Sequence, residues 1–119
     1  MSVDGQVHGG IAHGLGNALF EWMGYDERGQ PLTTTFADYL LPTATELPPL
    51  TTLYKETPSP LNPLGVKGVG EVGTIPAAAA VISAVENALE PFGVHIAQVP
   101  ITPHKLIELI AAGRGERGH

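Results

Sequence analysis

Apolar positions along the chain fall into three stripes with helical spacing, separated by polar and proline-rich stretches. The first runs Ile11, Leu15, Ala18, Leu19, Trp22 and Met23, the i, i+3, i+4 rhythm that gives a helix one buried face. Gly14 and Gly16 lie inside it. A glycine in a helix interior costs up to about 1 kcal/mol relative to alanine, so this pair implies that another backbone or a ligand presses close. Gly24 serves as the C-terminal stop. The second stripe is Ile75, Ala79, Ile82, Val85 and Leu89. Thr74 stands ahead of it as N-cap, and Pro76 occupies the first turn, where a missing N–H does no harm. In the third segment Thr102 caps a helix that starts at Pro103 and ends at Gly113. Residues 113–119 read as a flexible tail.

Three further stretches carry strand character. "LTTTFADYLL" (32–41) and "TTLYKET" (51–57) are rich in Thr and aromatic residues, and "GVHIAQVP" (93–100) is a short third candidate. "YDERGQPL" (25–32) reads as a hairpin turn, "PTATELPPL" (42–50) as a loop and "PSPLNP" (58–63) as an extended connector. Helices and strands mix without a regular βαβ rhythm and without internal repeats. The expected architecture is α+β, a two-layer sandwich of helices on a mixed sheet, forming one domain over residues 1–119.

Composition narrows the function. Six basic against twelve acidic residues give a net charge of −6, which excludes the basic face that phosphate-binding chains need and argues against nucleic acid. The absence of cysteine rules out disulfides and thiolate ligands, so this chain holds no iron–sulfur cluster of its own. The longest apolar run, Ile75 to Val85, is too short to span a bilayer. The opening "MSVDGQVHGG" lacks the basic and apolar regions of a secretory signal. The expectation is a soluble, cytoplasmic protein without a membrane partner. His8 and His13 are five residues apart and point to different sides of a helix. With His95 and His104 they show no metal-ligand spacing, so no metal site is assigned.

The chemistry concentrates in "GVKGVGEVGT" (65–74), where Gly65, Gly68, Gly70 and Gly73 surround one acid, Glu71. The pattern matches G-x-G-x-x-G, but the preceding prolines keep "SPLNPLGVK" from being the central strand of a dinucleotide fold. No Gly-Lys-Ser/Thr triplet is present for a P-loop. Glycine-exposed N–H groups before a helix attract anions or oxyanions, and a carboxylate there, near the positive end of the helix, suits a general base. A glutamate that merely caps the helix fits the same spacing. Gln6, in the second glycine cluster "DGQVHGGIAHGLGN", either hydrogen-bonds a ligand or satisfies loop backbone.

Four stretches, "DGQVHGGIAHGLGNALFE", "YDERGQPLTTTFADYLLPTATELP", "ETPSPLNPLGVKGVGEVGTIPAAAAVISAVENAL" and "VPITPHKLIELI", carry a resemblance. In order and spacing they resemble the C-terminal end of the molybdopterin-binding large subunit of the molybdenum hydroxylases, the xanthine dehydrogenase, aldehyde oxidase and aerobic carbon-monoxide dehydrogenase family. The resemblance implies that Glu71 is the glutamate beside the molybdenum that takes the proton from its hydroxyl ligand. It also implies that Gln6 hydrogen-bonds the molybdopterin cofactor, and that Gly68, Gly70 and Gly73 let backbone approach it. His13 stands where family members commonly carry glutamine.

Family large subunits are several times longer than this chain, and their iron–sulfur and flavin groups sit in other domains or subunits. The resemblance therefore implies a C-terminal fragment or split subunit. Its cofactor, molybdopterin, would be held only in an assembled complex, and its partners would be the remainder of the molybdopterin-binding subunit with iron–sulfur and FAD subunits. A non-catalytic structural module that forms a homo-oligomer, and an inactive remnant of such a subunit, are the alternatives.

Overall fold

The computed structural model describes residues 3–115. Three helices carry the fold: α1 (Val3–Leu19), α2 (Ala77–Ala88) and α3 (Pro103–Gly115), with short 3-10 turns at Ala44–Glu46 and Glu90–Phe92. The expected α+β sandwich is not found. Among the described residues no strand forms, and a single antiparallel bridge joins Tyr25 to Pro31.

Each stretch expected to be a strand has a local reason for its fate. In 32–41 the Thr35 hydroxyl accepts from Asp38 N at 3.3 Å, and the Thr35 carbonyl accepts from Tyr39 N at 2.8 Å. These short-range bonds compete with ladder pairing and win where no neighbouring strand is offered. The 51–57 stretch has no helix, strand or turn. In 93–100, Ile96 N donates to the Glu86 carboxylate at 2.7 Å instead of to a strand. The hairpin turn forms as the sequence predicts. Asp26 Oδ1 accepts from Arg28 N (2.8 Å) and Gln30 N (2.9 Å), and Gly29 takes a φ of 77°. Gly24 N is satisfied by the buried Thr33 hydroxyl at 3.0 Å.

Helix α1 begins at Val3, well before Ile11, so Gln6 and His8 lie within it. It ends at Leu19, short of the expected stop at Gly24, where Phe20 N and Glu21 N both turn back to the Gly16 carbonyl. Trp22 and Met23 thus leave the stripe and are exposed. Helix α2 starts after Pro76, which occupies the N-cap position expected of Thr74. Its one buried residue is Ala77; Ile75, assigned to the inward stripe, is exposed.

Packing of α1 on α2 explains the glycines. A Cβ on Gly14 would overlap the Ala77 methyl, a Cβ on Gly10 would lie 2.8 Å from Thr74 N, and one on Gly73 would lie 2.5 Å from the Val7 carbonyl oxygen. Backbone meets backbone here, so the helix tolerates glycines that an isolated helix would not. In α3 the expected cap forms: Thr102 Oγ1 accepts from Lys105 N at 3.3 Å. Gly113 lies inside this helix, where any side chain would run into the Phe92 carbonyl. Residues 116–119 of the expected tail lie outside the described residues. Ile101 N donates to the Ala18 carbonyl at 2.7 Å, tying the approach to α3 to the end of α1.

The core is small: among the described residues its buried apolar side chains are Ala18, Ala77, Ile96 and Ile101. The accessible surface is 9051 Å², against about 6,100 Å² for a compact 12.4 kDa monomer. The radius of gyration is 18.4 Å, where compact packing of this length gives about 13.5 Å. Phe36 is 86%, Leu53 90% and Leu61 92% exposed. The fold leaves apolar surface that the chain does not cover itself.

Candidate functional site

The approach to the glycine loop is fixed by one amide. Asn62 Nδ2 donates to the Val66 carbonyl and its Oδ1 accepts from Val66 N, both at 3.0 Å. Ser59 N reaches the Gly65 carbonyl at 3.0 Å. Gly65 has a φ of 65°, and a Cβ there would sit 2.8 Å from that of Pro58, so no other residue suits the position. Lys67 Nζ then donates to the Thr57 hydroxyl. From Val69 the chain winds through successive turns: Val72 N to the Val69 carbonyl (3.4 Å), then Thr74 N (3.0 Å) and Ile75 N (3.2 Å) to the Glu71 carbonyl.

Glu71 therefore contributes its main-chain oxygen to the turn ahead of α2. Its carboxylate is exposed and has no hydrogen bond or ion pair among the described residues. The capping alternative is not what the geometry shows. Just ahead of Glu71, Gly68 and Gly70 are exposed, and a Cβ built on either would meet nothing within 4 Å. Gly73 differs, being buried on the Val7 carbonyl. That contact brings the loop to the first turns of α1, one residue from Gln6, which is half-buried. So the two glycine clusters, 65 positions apart at Gln6 and Glu71, meet at one end of the α1–α2 pair.

The histidines do not join them. His8 and His13 are exposed on α1, His95 pairs with Glu86 at 2.8 Å, and His104 pairs with Glu108 at 3.2 Å. Among the described residues no three His, Asp or Glu side chains gather as a ligand set. A hollow of about 760 Å³ lies elsewhere, between Phe20, Trp22, Leu40, Ile101 and Leu109. It contains neither Gln6 nor Glu71, and its lining mixes apolar side chains with Asp38, His95, Gln98, Thr102, His104 and Lys105.

Two participants escaped sequence reasoning. Gly10 lies tight against Gly73 and Thr74 of the α2 leader, and its four-residue spacing from Gly14 was the available signal. Asp4 accepts from Thr52 Oγ1 at 2.8 Å and from the Tyr54 hydroxyl, anchoring the 51–57 stretch to the first turn of α1. Nothing local in the sequence marks that pairing across some fifty positions. The Tyr54 and Thr52 hydroxyls hold the Asp4 carboxyl below its usual range, and Asp4 in turn pushes the Tyr54 phenol up.

An unpartnered carboxylate beside bare backbone, on a loop seated against α1 one residue from Gln6, is an arrangement for receiving a polar ligand. Known proteins identify its kind. The molybdopterin cofactor-binding domain family matches residues 1–48. The large subunit of nicotine 6-hydroxylase from Paenarthrobacter nicotinovorans is 47% identical over 88% of this chain, and the large chain of carbon monoxide dehydrogenase from Hydrogenophaga pseudoflava is 40% identical over 89% of it. In each case the match covers 13% of the relative. The crystal structure of quinoline 2-oxidoreductase from Pseudomonas putida 86 superposes with a TM-score of 0.88 at 48% identity, over 92% of this chain and 14% of that one. The chain belongs to the molybdenum hydroxylase family, as a section of its molybdopterin-binding subunit. It spans about an eighth of the length of the curated relatives it matches.

Among the described residues no helix is long and apolar enough to cross a membrane.

Proposed function

We propose that this chain is the base-bearing C-terminal section of a molybdenum hydroxylase, active within an assembled complex. One observation carries the reading: the glycine contact of α1 with the α2 leader sets Gln6 and Glu71 at the same end of the helix pair, with open backbone at Gly68 and Gly70. These residues fit the molybdopterin cofactor. The bare Gly68 and Gly70 backbone admits a flat polar group closely, and the Gln6 amide supplies both a donor and an acceptor for it. When bound, that cofactor supplies the two-electron oxidant for hydroxylation of an electron-poor carbon.

The chain's own contribution is proton handling and positioning. Glu71, free of internal partners, accepts a proton at its carboxylate as the attacking hydroxyl oxygen becomes nucleophilic. Gln6 orients the cofactor, and Gly73 holds the loop against α1 so that the carboxylate keeps its place. The remainder of the molybdopterin-binding subunit would cover the exposed apolar surface, and iron–sulfur and FAD-bearing parts of the complex would carry electrons onward.

A tagged chain recovered from its source cells, with molybdenum measured on what co-purifies, tests this. A stoichiometric larger polypeptide carrying molybdenum is the expected result. Recovery of the chain alone and metal-free overturns it in favour of a structural module or an idle remnant.

A further inference from the structure

Residues 57–67 close on themselves without building core. Pro58, Pro60 and Pro63 fix φ at three positions and offer no N–H. The Ser59 hydroxyl accepts from Leu61 N at 3.2 Å, and Gly65 N reaches the Asn62 carbonyl at 3.1 Å. Ser59 N meets the Gly65 carbonyl, and the Lys67 ammonium joins the Thr57 hydroxyl. The two bonds of the Asn62 amide to Val66 are the last hold on the main chain before the glycines. Leu61, Leu64 and Val66 are all exposed, so ordering this loop, at about 1–2 kcal/mol per residue, is not offset by apolar burial. What the closure does fix is the point from which the glycine segment departs. The next anchor is the Glu71 carbonyl, held by Thr74 N at 3.0 Å and Ile75 N at 3.2 Å. Between the two, no backbone N–H of residues 67–70 donates a hydrogen bond among the described residues, and the Val69 carbonyl is engaged only by Val72 N at a long 3.4 Å. A span this free, with Gly68 and Gly70 inside it, takes its course from its ends.

We infer that Asn62 is a positioning residue for the cofactor-facing backbone: by gripping both the N–H and the carbonyl of Val66, it sets where Gly68 and Gly70 stand. The inference rests on the proposed function and adds a residue to it. The downstream anchor does not depend on Asn62, because Glu71 belongs to the α2 leader, which Gly73 seats against the Val7 carbonyl. Losing the Asn62 amide therefore frees one end of the span and leaves the other in place. The Glu71 turn and the α1–α2 contact persist, while Gly68 and Gly70 gain room to drift from a bound group. The grip needs this side chain's chemistry. The Val66 backbone presents one donor and one acceptor, and an amide answers both. An aspartate at position 62 would still receive Val66 N but has nothing to give the Val66 carbonyl, and an alanine answers neither.

Two readings on the molybdenum-containing assembly test the grip: hydrogen exchange of the Val66 amide, and the rate at which molybdenum and pterin leave together into a filtrate. In Asn62→Ala the Val66 amide should exchange about tenfold faster, the effect of one or two hydrogen bonds lost in water. Cofactor release should quicken by about the same factor, with melting temperature and subunit stoichiometry as in the parent. Asn62→Asp, which keeps the bond from Val66 N, should fall between parent and alanine in both readings, and it carries the test if the alanine variant does not assemble. Ser59→Ala removes a hydroxyl of the same loop that receives Leu61 N and not Val66, and should release cofactor at the parent's rate. A loosened Val66 amide with unchanged release overturns the positioning role and leaves the proposed function standing. An unchanged Val66 amide in both Asn62 variants does the same. Release that quickens equally in Ser59→Ala, or only alongside a lowered melting temperature, assigns the effect to general order of the loop and also overturns it. A parent chain that forms no assembly, or one without molybdenum, overturns the inference and the proposed function together.

Discussion

The α1–α2 contact and the 50–66 arm show opposite solutions within one short chain. In the first, glycines at 10, 14 and 73 let two pieces of backbone touch, and the candidate site sits at the end of that contact. In the second, side chains of strand type stand in water: Leu53, Leu61 and Leu64 are almost fully exposed, and one carboxylate, Asp4, fastens the stretch. The difference lies in where the partner is. A glycine contact is complete once both surfaces belong to the chain. A strand is complete only when a second strand arrives, and none is present among the described residues. On the proposed function, the packed region would carry the chemistry and the open region would meet the rest of the complex.

The sharpest test of the packed region removes its charge and nothing else. Glu71→Gln keeps the volume and leaves the Glu71 carbonyl, which organises the turn, in place. In the molybdenum-loaded assembly, turnover should fall by about 10²–10⁴-fold, the usual contribution of a positioned general base, with molybdenum content unchanged. Turnover within a few fold of the parent would show that Glu71 is not the base.

Next in size are the glycines, which split into two sets. Gly14→Ala forces a methyl into that of Ala77, and Gly73→Ala forces one onto the Val7 carbonyl. Overpacking of this kind costs about 1–3 kcal/mol, visible as a lower melting temperature of the purified chain. Gly68→Ala and Gly70→Ala meet nothing within 4 Å and keep ordinary φ. Their melting should stay within about 0.5 kcal/mol of the parent, while the assembly retains less molybdopterin because the backbone is no longer bare. Equal destabilisation by all four substitutions would erase the distinction between packing glycines and cofactor-facing glycines.

Features set by neighbours in sequence were legible: the Thr102 cap, the Asp26–Gly29 turn and the need for close approach at Gly14 and Gly16. Boundaries that depend on tertiary contact were not. The glycine-rich 4–10 stretch looks like a loop, and only its docking on Gly73 and Thr74 makes it the start of α1. The strands failed for a related reason, since their propensity was readable but pairing is a property of another segment. Within the candidate site, the glycine crowding singled out Glu71 directly. Gln6 was marked by the second glycine cluster with ligand and loop readings both open, and only the resemblance chose between them, because an isolated glutamine carries no signal of what it faces.

The smallest effect probes the join between the two regions. Asp4 accepts from Tyr54 and Thr52, and these bonds favour its ionised form, lowering its pKa from the usual 3.8. A carboxyl with a depressed folded value contributes stability that is present above its unfolded value and lost as pH falls through the folded one. Tyr54 shows the converse: its phenol is raised above the usual 10.0, so its contribution is present below that value and lost as pH rises through the raised one. The clasp should therefore be at full strength between roughly pH 4 and pH 10, and open as pH falls through the lowered Asp4 value or rises through the raised Tyr54 one. Chemical shifts of the Tyr54 ring, followed from pH 6 down to pH 2, should move as Asp4 protonates. In Asp4→Ala they should already sit at the released position at pH 6, with no acid transition of their own. An identical acid transition in the variant would mean that another carboxylate governs Tyr54, and the 50–57 stretch would then be free of α1 even while the α1–α2 contact stays closed.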